Sequence, residues 1–278
     1  MADNKSTTAK AASATGKTSN LSSMFAVIVI AAAILTSILI FKFLLGNPSN
    51  FKGGDPENGP LPGNFMGIVY KGGFIVPILM SLLMIVVTFT IERFLTIMKA
   101  KGNGSVSAFV RNIKMKLEAG DIAGAKAACD KQRGSVANVV RSAVEKYESM
   151  EKEAGMNKDQ KVLAIQKEVE EATSLELPML ERNLTVIATI ASIATLMGLL
   201  GTVLGMIRAF AAMANAGAPD ATALSTGISE ALINTALGIG TSAVAIIMYN
   251  YFTSSIDDLS YGIDEAGFSI TQTFAAKH

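Results

Sequence analysis

Apolar residues dominate four stretches of the chain, each long enough as a helix to cross a hydrocarbon core roughly 30 Å thick. They cover residues 24–45, 73–98, 184–214 and 225–252. The second has its hydrophobic centre ahead of the Glu92-Arg93 pair. At about 1.5 Å per residue the last two are longer than the bilayer is thick, which predicts continuous helices that protrude from it. Lys5, Lys10 and Lys17 precede the first stretch. Its apolar run exceeds the roughly 7–15 residues of a signal core and no small-residue cleavage pattern follows, so it reads as a retained anchor. Lys42, near its far end, can extend its ammonium to the headgroups.

The pattern changes between 99 and 183. Phe109, Val110, Ile113 and Leu117 recur at helical spacing and stop at Gly120, and Val136, Val139, Val140, Ala143, Val144 and Tyr147 form a second stripe. A third charged helix is predicted through Val162, Ile165, Val169 and Leu175 towards Pro178, whose missing N–H predicts a kink before span three. Residues 1–23 are mostly Ser, Thr, Ala, Lys and Asn without periodicity, which predicts disorder. The expected fold class is an all-α integral membrane protein with four transmembrane helices, the last two long and extending into the cytoplasm, and a small helical cytoplasmic domain at 99–183. Loops are expected at 46–72 and 215–224, and a tail at 253–278.

Composition agrees with a membrane location: the chain is 50% hydrophobic and only 17% charged, with a mean hydropathy of +0.40, against about 25% charged in a soluble domain. A net charge of +1 gives no basis for nucleic-acid binding. Cys129 is the only cysteine and His278 the only histidine, which excludes an internal disulfide and a cysteine- or histidine-rich metal site. Charge distribution says more than net charge. Fifteen Lys and Arg lie between 99 and 183, two (Lys52 and Lys71) in 46–72, and none in 215–224. Positive loops stay inside, so both termini and the middle domain are expected to be cytoplasmic, with 46–72 and 215–224 outside. The middle domain balances thirteen acidic against fifteen basic residues and shows no phosphate-binding glycine loop, nucleophile elbow or paired catalytic set. It reads as a scaffold rather than an enzyme.

Spans three and four carry small and hydroxylated residues at helical steps. On span three these are Thr185, Thr189, Ser192, Thr195, Gly198, Thr202 and Gly205; on span four, Gly227, Ala231, Thr235, Gly238, Ser242 and Ala245. Such residues either pack helices closely in a static bundle or line a wetted cavity. Thr202 and Thr235 lie at similar distances from the turn between the spans, so on antiparallel helices their hydroxyls reach similar depth. Glu230 is an ionisable group within the apolar reach of span four, where a carboxylate is costly and marks either a function or a structural partner. The structural alternatives are a pair with Arg208 or a hydrogen bond with Asn234. Glu230 lies towards the outer side, so any proton carrier near mid-membrane is expected from another subunit.

The run Ile193-Ala194-Thr195-Leu196-Met197-Gly198-Leu199-Leu200-Gly201-Thr202-Val203-Leu204-Gly205-Met206-Ile207-Arg208-Ala209-Phe210 closely resembles a signature of the MotA/TolQ/ExbB proton channel family, particularly its ExbB and TolQ branch. Ile228-Ser229-Glu230-Ala231-Leu232-Ile233-Asn234-Thr235-Ala236-Leu237-Gly238, followed by Tyr249-Asn250, resembles its last-helix signature. Gly120 to Cys129 and Ile91-Glu92-Arg93 resemble segments upstream. Thr195, Met197 and Ala245-Ile246 depart from the family's usual Pro, Leu and Ile-Pro, which predicts straighter helices, and span one is extra to the ExbB branch.

The resemblance implies a pore-forming stator subunit of a motor driven by the proton motive force, with no cofactor and protons as the coupling ion. It implies a homopentamer in a bacterial inner membrane around an ExbD/TolR-like single-span partner that carries the proton-binding Asp. A TonB-like protein would receive the work for outer-membrane transport. Carried over by position, Thr202, Thr235 and Glu230 line the proton path. The packing glycines are Gly198, Gly201, Gly205 and Gly238. A TolQ-like role in envelope maintenance, a gliding motor and a non-conducting scaffold are the alternatives.

Overall fold

The computed structural model describes residues 24, 26–215 and 221–277, so the expected disordered N-terminus and part of the expected 215–224 turn lie outside the described residues. The chain is all-α with nine α-helices among the described residues: α1 Ala26–Leu45, α2 Phe65–Tyr70, α3 Ile75–Lys101, α4 Val106–Glu118, α5 Ile122–Gln132, α6 Gly134–Lys152, α7 Lys158–Glu181, α8 Leu184–Asn215 and α9 Ala221–Lys277. Four helical stretches are long and apolar enough to cross a membrane, beginning at Ala26, Ile75, Lys158 and Leu224. The helices divide into two compact units, and α3, α8 and α9 each contribute to both.

The first unit holds α1, α2, the start of α3, most of α8 and the first half of α9. The expected 46–72 loop is an ordered clasp. α1 closes in a π-helical turn, Ile40–Leu45, and the buried Asn50 amide donates to the carbonyls of Leu44 and Leu45 at 2.9 Å each. These are carbonyls that a helix end leaves without partners. Asn64 donates in turn to Asn50 at 3.1 Å and caps α2, accepting from the N–H of Gly67. Tyr70 stacks on Phe41 and meets Phe51 edge-on, so the clasp has its own aromatic core.

The second unit holds the end of α3, α4 to α7 and the second half of α9. The predicted stripes of α4 and α6 are buried, from Phe109 to Leu117 and from Val136 to Tyr147. On α7 Ile165 and Val169 are buried, but Leu175 is 74% exposed. Six residues past Val169, it lies about 240° round the helix and off the stripe. The 253–278 segment, read from sequence as a tail, continues α9 as helix to Lys277. Phe252, Ile256, Leu259, Ile263, Ala266, Ile270 and Phe274 are buried at steps of three and four, and Phe274 meets the ring of Tyr147 edge-on at 4.9 Å. Caps fix the short helices: Ser105 on α4, Asp121 on α5, and a reciprocal Asn157/Gln160 pair on α7.

Pro178 does not itself mark the break before span three. α7 runs through it to Glu181, and the chain turns at Arg182-Asn183, where Asn183 has φ +64°. Pro178 lies in the last turn, and the buried Arg93 donates to the carbonyls of Met179 and Leu180, which the helix end leaves without partners, at 3.3 and 3.1 Å. Arg93 is held by its neighbour Glu92, which also accepts from Asn183 at 3.3 Å. Beyond the turn, neither α8 nor α9 is interrupted over its described length.

The second unit carries most of the titratable surface. Burial, with Asp130 nearby, pushes the Cys129 thiol up to about 12, so it stays protonated and unreactive at neutral pH. Glu148 has the opposite shift: hydrogen bonds from Lys126 and then Lys152 hold its carboxyl at about 2 instead of 4.5. A carboxyl lowered on folding stabilises the fold above its unfolded pKa, and that contribution disappears as pH falls from about 4.5 to about 2. The thermal midpoint of this unit should therefore drop across that interval, and Glu148→Gln should flatten that part of the profile. An unchanged profile in the variant would remove Glu148 from the acid response.

Candidate functional site

The face that α8 turns to α9 is made of Ala191, Ala194, Gly198, Gly201, Gly205 and Ala209, which stay within about 80° of one another at 100° per residue. A methyl added at Gly198 would lie 3.0 Å from the carbonyl of Asn234, and one at Gly205 would lie 2.8 Å from that of Gly227. On α9 a methyl at Gly238 would lie 2.6 Å from the carbonyl of Ala194. Backbone therefore rests on backbone, the arrangement small residues permit. Ser242 reinforces it by donating to the carbonyl of Ala191.

The stripe read on span three corresponds to this face only in part. Between Thr185 and Gly205 twenty residues sum to about 160° of drift, so the row winds from one side of α8 nearly to the other. Gly198 and Gly205 belong to the contact; Thr195 is exposed at its flank, and Thr185, Thr189 and Ser192 are exposed on the far side of the helix. The span-four stripe, which drifts by no more than about 80°, is a true face.

Thr202 and Thr235 meet at the flank of this contact, each half-buried, with their hydroxyls hydrogen-bonded to one another. Thr202 also approaches the carbonyls of Gly198 at 3.2 Å and Ala231 at 3.4 Å, and Thr235 donates to the carbonyl of Ala231 at 3.1 Å. Two hydroxyl protons thus share several acceptors. The pair can redistribute its donors by rotation and keeps lone pairs for a third group, such as a protonated carboxyl or water.

Glu230 takes the Arg208 alternative: Arg208 Nη1 donates to its Oε1. Glu230 is buried, while the Arg208 side chain is half exposed and lies 5.6 Å from the centre of the Phe74 ring. Asn234 does not bond Glu230. Its amide donates to the carbonyl of Gly72 at 2.9 Å, and its buried Oδ1 has no partner among the described residues. Gly201 makes room for it, since a methyl there would strike the Asn234 side chain. Gly73, at φ +75°, supplies the other half of the arrangement: a methyl on it would lie 2.6 Å from Glu230 Oε1. The partners of Glu230 and Asn234 at the start of α3 were not apparent in the sequence; the only signal for them is the Gly72-Gly73 pair directly ahead of an apolar span.

Residues 132–265, which contain α6, α7, α8 and the site on α9, match the sequence model of the MotA/TolQ/ExbB proton channel family. Among curated proteins, an ExbB-like biopolymer transport protein of Synechocystis is 40% identical over 88 residues, 31% of this chain and 42% of that protein. TolQ of Pseudomonas aeruginosa is 29% identical over 119 residues, 43% of this chain and 52% of its own length. ExbB of Helicobacter pylori is 42% identical over 81 residues, 29% of this chain and 56% of its own. Over this segment the chain is similar to the MotA/TolQ/ExbB family, and these relatives are of its ExbB and TolQ branch. It spans about half the length of the curated relatives it matches, and helices α1 to α4 and nearly all of α5 lie outside the matched segment.

Two glycines of α9 separate packing from propensity. Gly238→Val should push α8 and α9 apart and cost about 1–3 kcal/mol, read as a lower thermal midpoint in detergent. Gly240 has nothing within 4 Å of the position its methyl would take; Gly240→Ala should be neutral or stabilise by about 0.5–1 kcal/mol. Equal effects at the two positions would remove the close contact as the source of stability.

Proposed function

We propose that α8 and α9 line the proton path of a motor in a bacterial inner membrane, in a homo-oligomeric ring, as a pentamer, around an ExbD/TolR-like single-span partner. The observation that carries this reading is the Thr202–Thr235 hydroxyl pair, held with spare acceptor capacity in a helix pair almost without charge. Between 184 and 252 the titratable side chains of Asp, Glu, Lys and Arg are only Arg208, Asp220 and Glu230. Glu230 is bonded to Arg208, and a carboxylate held by a guanidinium is a poor proton shuttle. The carrier is therefore an acid of the partner, which docks in its protonated form against the threonines and releases its proton beyond them. Both termini face the cytoplasm, and the work is delivered through a TonB-like protein to outer-membrane transport.

The test is a co-expressed complex with its single-span partner, assayed for activity that depends on the proton motive force. Thr202→Val and Thr235→Val should each lower that activity about tenfold or more, the factor expected when a hydrogen bond to an ionisable group is lost. Thr202→Ser should retain most of it, and the mass of the purified complex should stay the same in all three. Full activity in both valine variants would leave α8 and α9 as packing helices of a non-conducting scaffold.

A further inference from the structure

An open groove of about 860 Å³ lies in the second unit between α3 and α9, closed at one end by the start of α4. Its volume is within the roughly 300–1,000 Å³ of small-molecule sites. Both long helices leave their expected membrane spans inside it. Where they are still apolar, it is lined by Phe94, Met98 and Tyr251, all exposed, over the buried Ile97 and Phe252. Further along, the lining turns polar, with Lys101 on α3, Ser105 capping α4 and Ser107 on it, and Asp258 and Glu265 on α9. Gly262 lets α4 come this close, since a methyl there would lie 2.6 Å from Val106 Cγ1. Lys101, Asp258 and Glu265 have no ion-pair partner among the described residues.

A surface that changes from apolar to charged along its length, at the depth where a bilayer does the same, fits an amphiphile rather than a metabolite or a peptide. The charges select its headgroup. Lys101 on one wall suits a phosphate; Asp258 and Glu265 on the other repel a purely anionic lipid and suit a cation that can donate hydrogen bonds. A quaternary ammonium has no such donor. We propose that this groove is a binding site for an ethanolamine phospholipid. One acyl chain lies against Phe94, Met98 and Tyr251, the phosphate meets Lys101, and the primary ammonium sits between Asp258 and Glu265. None of these residues belongs to the α8–α9 hydroxyl pair, so the site stands or falls independently of the proton path.

The chain has no tryptophan, so Tyr261→Trp on the groove rim gives one emitter per copy when this chain is reconstituted in nanodiscs without its partner. Brominated phosphatidylethanolamine at low mole fraction should quench it about fivefold more effectively than brominated phosphatidylglycerol or phosphatidylcholine. Adding Asp258→Asn and Glu265→Gln should abolish that preference, and adding Lys101→Glu instead should weaken phosphatidylethanolamine quenching. Met98→Trp, an emitter at the apolar end, checks the result where Tyr261→Trp disturbs the protein. Equal quenching by the three lipids would reduce the groove to ordinary lipid-facing surface. No quenching by any of them would mean that a second copy of the chain covers it. Either result overturns the proposal.

Discussion

Everything distinctive about the membrane helices depends on α8 and α9 touching through their backbones. In lipid there is no hydrophobic gain in bringing two apolar helices together, so close van der Waals contact and hydrogen bonds must hold them. Gly198, Gly205, Gly227 and Gly238 provide that closeness, and the same closeness makes the site. A threonine hydroxyl is only two bonds from its backbone, so Thr202 and Thr235 can bond one another only across helices this near. Replacing the glycines would not merely loosen a bundle. It would pull the hydroxyls out of reach and turn each back to its own carbonyl.

The polar groups beside this contact are spent on structure, which bears on where chemistry can occur. Arg208 and Glu230 neutralise each other, and Asn234 holds the carbonyl of Gly72. Removing Arg208 would leave a buried carboxylate without its counter-ion, whereas removing Glu230 would leave a half-exposed guanidinium that solvent can reach. The constraint therefore falls on Glu230, whose carboxylate is tied to one guanidinium. Thr202 and Thr235 are under no such constraint: they carry no charge to strand, and rotation alone changes what they donate to.

Much of this was legible in the sequence, for physical reasons that differ from element to element. The four spans were legible because length and apolarity suffice to mark them. The α4 and α6 stripes were legible because one face of each packs on neighbours and the other meets water. The α8 face was not, because small residues occur on two sides of that helix and steps of three and four can be chained from one side to the other. The clasp at 46–72 escaped as well. Asn50 binds the last carbonyls of α1 through a fold of turns with no period, and nothing in the spacing of Asn, Gly and Pro says which amide finds which carbonyl. The helical end of α9 escaped for the opposite reason. Its buried positions have a clear period, from Phe252 to Phe274, but they are interleaved with Asp257, Asp258, Asp264 and Glu265, which draw the eye to solvent.

Outward-facing residues also differ in what they imply. Leu196, Leu199, Val203, Ile207 and Phe210 are exposed on α8, yet lipid satisfies them as well as protein does, so their exposure says nothing about assembly. The exposed hydroxyls of α8 sort by angle. Thr185, Thr189 and Ser192 lie on the same side of the helix as these apolar residues, about 80–140° from Thr202, whereas Thr195 lies within about 20° of it. A group that docks against the open flank of the Thr202–Thr235 pair therefore also meets Thr195, so the polar surface beside the contact is a short patch and not the length of the helix.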